Sequence, residues 1–183
     1  MKTLQLKFIS YICFAVLLFL TIGCQNQSEK AELDKFKATV KTQEQNKTIV
    51  RDFFAAIDKQ DINKLNELLS EDFTLSGAGM DKPWTKDDVF KDIKRYYTSF
   101  PDWNHQIEDM IAEGYKVAVK LIQHGTQKAQ FEELAPTGTK VTKSAIHVVT
   151  IVNGKIKGWW AIEDELGLMI QLGMELKPKE LKK

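Results

Sequence analysis

Polar and apolar positions along this chain change period twice, and the changes mark out its elements. Phe8 to Leu20 is almost wholly apolar. Gln25 to about Lys41 is polar and reads as a tether, helical in part from Ala31 on. Ile49, Phe53 and Ile57 then recur every four residues, with Val50 and Phe54 beside them. That spacing predicts a helix with one broad apolar face over about Gln43–Lys59. Thr42 with Gln45 offers a capping box at its start. Asp61 caps a shorter helix carrying Ile62, Leu65, Leu68 and Leu69. Ser70-Glu71-Asp72 stops it, and Phe73-Thr74-Leu75 reads as a short strand. After a flexible Ser76–Gly79 loop, Thr85 caps a third helix with Val89, Phe90, Ile93 and Tyr97 on one side; Pro101 ends it.

From Trp103 the period falls to two. Strands are predicted at His105–Ile111 and Val117–Gln123, followed by a long connection over Gly125–Thr139. Two further runs, Ile146–Val152 and Lys155–Ile162, are separated by Asn153-Gly154. Both central residues of a type I′ turn need positive φ, so Asn-Gly here predicts a tight hairpin. A last helix runs from Glu165 to about Leu172. Helices followed by antiparallel strands make an α+β fold, with the helices on one face of a sheet. No repeat is visible.

Charge removes some functions. The formal net charge is +1, with no basic stripe, so nucleic acid is not a partner. The two cysteines, Cys13 and Cys24, both precede the domain, which leaves it without disulfide or thiol chemistry.

The N-terminus reads as an address. Lys2 and Lys7 form a basic n-region, and the apolar run behind them is shorter than the about 20 residues a membrane span needs. It ends at Leu20-Thr21-Ile22-Gly23-Cys24, which resembles the lipobox of bacterial lipoproteins. Thr21 stands where that motif prefers leucine, and Leu20 sits one place earlier. The resemblance implies that residues 1–23 are removed and that Cys24 carries acyl chains. The protein would then sit on a membrane of the bacterial cell envelope, each buried methylene contributing about 0.8 kcal/mol. The remaining divisions are a tether at 24–41, a domain at 42–175 and a solvated, lysine-rich tail at 176–183.

Candidate chemistry gathers on the hairpin, where His147, Trp159, Trp160, Glu163 and Asp164 meet. The three histidines, His105, His124 and His147, lie on separate strands without metal-ligand spacing, so no metal is expected. No phosphate loop, dinucleotide fingerprint or Ser-His-Asp spacing is present, and no cofactor is implied.

An ordered set of fragments adds up to a family. They are VRDFFAAID at Val50–Asp58, LLSEDF at Leu68–Phe73, SFPDW at Ser99–Trp103, IEDMIAEGYKVAVK at Ile107–Lys120, APTGTKV at Ala135–Val141, NGKI at Asn153–Ile156 and DELGL at Asp164–Leu168. In this order and spacing they resemble SnoaL-like polyketide cyclases (ester cyclases) of the nuclear-transport-factor-2-like superfamily. The resemblance implies a cone-shaped domain: a curved antiparallel sheet, three N-terminal helices and a short C-terminal helix around a hydrophobic pocket. It also implies homodimers through the outer face of the sheet.

In that family an aspartate in a His-Trp-Asp triplet on the last strand is the acid/base for an aldol ring closure. It works with a histidine on the preceding strand, here His147. The triplet aligns with Trp159-Trp160-Ala161, so a methyl stands where the carboxylate is expected. Another family histidine aligns near Ser76. These departures argue against the aldol mechanism.

The first reading is therefore a lipid-anchored protein binding an apolar or aromatic small molecule, with Trp84, Phe90, Tyr97, Phe100, His147, Trp159 and Ala161 lining the pocket. The alternative is an ester cyclase or isomerase using His147 with Asp164 or Glu163. Asp164 also suits the N-cap of the last helix, and Glu163 is expected in solvent. A third reading is an interaction module with a vestigial pocket. The simple hairpin register poses a difficulty: pairing Val152 with Lys155 puts His147 opposite Trp160, on the other face from Ala161. Either a bulge shifts that register, or His147 lies elsewhere.

Overall fold

A computed structural model describes residues 2–177, with side chains from Gln27 on. The side chains of the leader and of Cys24, and the end of the lysine-rich tail, lie outside what is described. Among the described residues no helix is long and apolar enough to cross a membrane. The chain divides into two compact units, Met1–Thr42 and Gln43–Lys183. Helix α1 is assigned over Lys2–Asp58. The expected cap at Thr42 does not form. Instead the Thr42 hydroxyl donates back to the Ala38 carbonyl at 3.0 Å, inside the helix.

The second unit holds the fold. The part of α1 within it buries Val50, Phe53, Phe54 and Ile57, the apolar face its spacing predicts. Then follow α2 (Ile62–Leu68), β1 (Leu69–Gly77), α3 (Lys86–Ser99), β2 (Asn104–Glu113), β3 (Lys116–Thr126), β4 (Lys140–Val152), β5 (Lys155–Glu163) and α4 (Glu165–Gln171). Asp61 caps α2 by accepting from the Lys64 N–H. Thr85 caps α3 in a reciprocal box with Asp88.

The five strands form one open sheet in the order β1-β5-β4-β3-β2. Strands β2 to β5 are antiparallel neighbours in chain order. β1 joins the far edge, parallel to β5, and is longer than the predicted Phe73–Leu75 segment. Asn153 and Gly154 adopt φ of 52° and 74°, as a type I′ turn requires. Val152 pairs with Lys155 as predicted. The register then shifts: Ile151 pairs with Ile156 but Thr150 pairs with Gly158, leaving Lys157 as an extra residue. This bulge puts His147 opposite Ala161, and Trp160 moves to the outer face. A second shift lies between Ile107 and Asp109 on β2. Bulges bend and twist a sheet locally.

Alternate residues of β3 and β4 are buried on the side facing α1 and α3. Gly125 is where β3 passes beneath Trp103; a methyl there would collide with the indole ring. The 127–139 connection is tied down by Gln127, fully buried, whose side-chain oxygen accepts from the Thr137 N–H at 3.0 Å and hydroxyl at 2.8 Å.

Candidate functional site

A cavity of about 460 Å³ opens between α3, the end of α1 and the inner face of the sheet. Its aromatic walls are Trp84, Tyr96, Tyr97, Trp103, Phe131 and Trp159. Trp159, Ala161 and Glu163 all face it because strand residues two apart share a side. The Lys157 bulge gives Ala161 the same face as His147 and Lys143 on β4.

At the β4–β5 end a polar cluster gathers around the buried Lys143. The Lys143 side chain is 1% exposed. Its ammonium donates to the Tyr96 hydroxyl and to Glu165 Oε1, each at 2.7 Å, and to Glu163 Oε2. All three of its protons are thereby used. Tyr96 in turn donates to Glu165 Oε1 at 2.7 Å. Glu163 Oε1 accepts from His147 Nε2 at 2.9 Å.

Burial competes with hydrogen bonds and neighbouring charges at four groups of this cluster. Burial alone would depress Lys143, but Glu163, Tyr96 and Glu165 outweigh it and raise its pKa. Burial alone would raise Glu163, but the His147 hydrogen bond and the Lys143 charge hold it well below the usual carboxylate range. Burial pushes Tyr96 well up, against the pull of Lys143. Burial also pushes His147 down, outweighing Glu163. His147 is therefore neutral near pH 7. Its Nε2–H serves Glu163, and its Nδ1 is buried without a partner.

A second pair lies on the β2 side. His105 Nδ1 donates to Asp58 Oδ1 at 2.6 Å, since a carboxylate only accepts. The His105 backbone N–H reaches Asp58 Oδ2 at 3.3 Å, and the Tyr97 hydroxyl reaches Oδ1 at 3.4 Å. Burial and Asp58 both raise the Tyr97 pKa. Near Phe131 a third group forms. Arg95 pairs with Asp92 at 2.7 Å and with Glu132, and its guanidinium lies 4.8 Å from the Tyr96 and Phe131 ring centroids. Among the described residues no His, Cys, Asp and Glu cluster is arranged to hold a metal.

Of the residues expected in the pocket, Trp84, Tyr97, Trp159 and Ala161 line it. Phe90 does not: it is half-buried against the core. Phe100 stands one layer back, its ring stacked on Tyr96 and packed against Trp103 and Phe131. His147 is also one layer back, fully buried against Trp159 and Phe54. Asp164 caps α4, accepting from the Gly167 N–H at 2.8 Å, and is not part of the lining. Glu163, expected in solvent, turns inward because Lys143 and His147 both bind it. Lys143, Tyr96 and Gln123 were not singled out from the sequence, and His105 was weighed only as a metal ligand, yet all four line the cavity. Strand parity with His147 marks Lys143 as inward, but a lysine is rarely buried without a partner, and its partners come from other elements.

The profile of the SnoaL-like polyketide cyclase family matches residues 47–172. This chain belongs to that family. No curated protein sequence matches it. Solved structures similar to this SnoaL-like chain include AclR from Streptomyces galilaeus, provisionally described as a hydroxylase. It is 21% identical with a TM-score of 0.68, covering 75% of this chain and 91% of AclR. IdmH from Streptomyces antibioticus, provisionally described as a polyketide cyclase, is 22% identical with a TM-score of 0.65, covering 70% and 99%. A SnoaL-like protein from Jannaschia sp. CCS1 is 17% identical with a TM-score of 0.66, covering 73% and 95%. At these identities the likeness is one of fold, and SnoaL-like folds host many chemistries. In this member Ala161 brings only a methyl to the cavity wall.

Proposed function

We propose that this SnoaL-like chain binds a small, largely aromatic molecule in its cavity, held at a membrane of the bacterial envelope by acyl chains on Cys24. The observation that carries the reading is an aromatic enclosure of about 460 Å³ beside the Lys143–Glu163–Glu165–Tyr96 cluster. Ligand pockets of this kind are mostly apolar with a few placed polar groups. The cluster supplies fixed charges and dipoles for orientation. Its Lys143 and Glu163 are bound to each other, which removes both as free acid or base near neutral pH. Ala161 withholds the carboxylate that the family's aldol closure uses. Native mass spectrometry of the chain purified from bacteria tests the reading: a retained small molecule, or uptake of an added aromatic one, supports it. A chain that stays empty throughout refutes it.

The partner we assign to the outer face of the sheet is a second copy of this chain. Ile146 pairs with Ile162, and Val148 with Trp160. Ile146, Trp160 and Ile162 are 50%, 42% and 46% exposed, a contiguous apolar patch of the kind that marks interaction sites.

A further inference from the structure

We propose that His105, oriented by Asp58, is a general base that removes a proton from carbon beside a ketone carbonyl in an aromatic ligand. This rests on the cavity being a ligand site, and it gives that site a reaction. Asp58 holds the proton on Nδ1, so in the neutral ring the lone pair is on Nε2. Among the described residues Nε2 makes no hydrogen bond, and His105 lines the cavity. Asp58 is itself held by the His105 N–H and Tyr97, which fixes the ring's tautomer and angle.

Two further atoms point to a polar ligand at the same wall. Gln123 Oε1 and Trp159 Nε1 are buried without partners, and both residues line the cavity. Gln123 stands directly opposite His105 in the β2–β3 pairing. The His105 and Trp159 rings both pack on Phe54, at 5.3 and 6.3 Å. Buried polar atoms left without partners are costly, and a ligand with a carbonyl oxygen and a hydroxyl satisfies both. Lys143, Glu163 and Glu165 are engaged with one another, and Asp92 and Glu132 with Arg95, so among the described residues lining the cavity His105 is the base with an open nitrogen.

In the step, the C–H bond beside the carbonyl breaks and its proton passes to Nε2. The electron pair moves onto the oxygen as an enolate, held by the Trp159 N–H. Asp58 stabilises the imidazolium. Return of a proton from His105 restores the ketone, so no co-reactant is consumed. Asp58 is a positioning residue in this scheme.

The probe is phenylacetone with the purified full chain in D₂O. Exchange of its benzylic protons is followed by NMR, and binding by saturation transfer. The wild type is expected to exchange about 100-fold faster than matched buffer. His105→Gln should lose that acceleration while binding stays within about twofold. His124→Gln, on the other face of β3 from Gln123, should exchange like the wild type. Asp58→Asn should slow exchange and move the His105 proton from Nδ1 to Nε2 in ¹⁵N spectra, which a merely structural role would not do. A wild type that binds phenylacetone without exchange above buffer overturns the proposal and leaves the binding reading standing. So does a His105→Gln chain that exchanges at the wild-type rate. A wild type that neither binds nor exchanges overturns both.

Discussion

Lys143 on β4 donates to Glu163 on β5, one step diagonal to the Ala145–Glu163 pair, and the lysine side chain is almost fully buried. An ion pair around a buried lysine is weak evidence for stability as a whole, but removing one partner leaves the other short of a hydrogen bond. Glu163→Gln leaves Lys143 with Glu165 and Tyr96 and is expected to cost about 1–3 kcal/mol, read by urea denaturation. Adding Lys143→Met to it should recover much of that loss. A single variant as stable as the wild type would contradict the pairing.

The same cluster sets how stability depends on pH. His147 titrates lower in the folded chain than its ordinary 6.5, so below that pH the unfolded chain binds the extra proton and stability falls. Glu163, depressed from 4.5, adds a further loss at lower pH. Lys143 and Tyr96 are raised from 10.5 and 10.0, so their contributions are present below those values and are lost as pH rises past them. Asp92, raised by burial, acts in the opposite sense to Glu163. Urea midpoints across pH should show a plateau between about 7 and 10, falling on both sides. His147→Gln should flatten the fall that begins near pH 6.5. An acid limb unchanged in that variant would show that His147 does not carry it.

How much of this was legible in sequence depends on range. The Asn153-Gly154 turn, the α1 core face and the Asp61 and Thr85 caps are local, and their chemistry is written in neighbouring residues. The bulge at Lys157 has no such signature: Lys157 itself faces solvent, and only the packed inner face makes the shifted register favourable. Glu163 and Lys143 look like surface residues taken singly; Lys143 is buried and Glu163 half-buried because they meet each other and His147, Tyr96 and Glu165. The parallel pairing of β1 with β5 spans most of the domain, beyond any local pattern. The Asp58–His105 pair joins a helix end to a strand 47 residues later, and neither residue alone suggests it.

Lipid attachment has its own test. The chain expressed in bacteria with radiolabelled palmitate should take up label and sediment with membranes. Cys24→Ser should lose the label and release the chain. Label retained in Cys24→Ser, or a wild type that takes up none, would contradict the anchor.

For the outer sheet face, Trp160→Glu should convert a dimer to monomer by analytical ultracentrifugation, with cavity binding unchanged. A wild type that sediments as a monomer at high concentration would remove the second copy as its partner.

The central claim is that the cavity is a ligand site. Titration with N-phenyl-1-naphthylamine, a neutral aromatic dye that brightens in apolar surroundings, tests it directly in the wild type and in Ala161→Phe. Ala161 offers only a methyl to the cavity wall, and a phenyl ring there fills the space a ligand would use. The wild type should bind saturably, and Ala161→Phe should bind at least about tenfold more weakly, a difference of about 1.4 kcal/mol, with its urea midpoint little changed. A wild type that takes up no dye, or an Ala161→Phe chain that binds it equally well, would contradict the account.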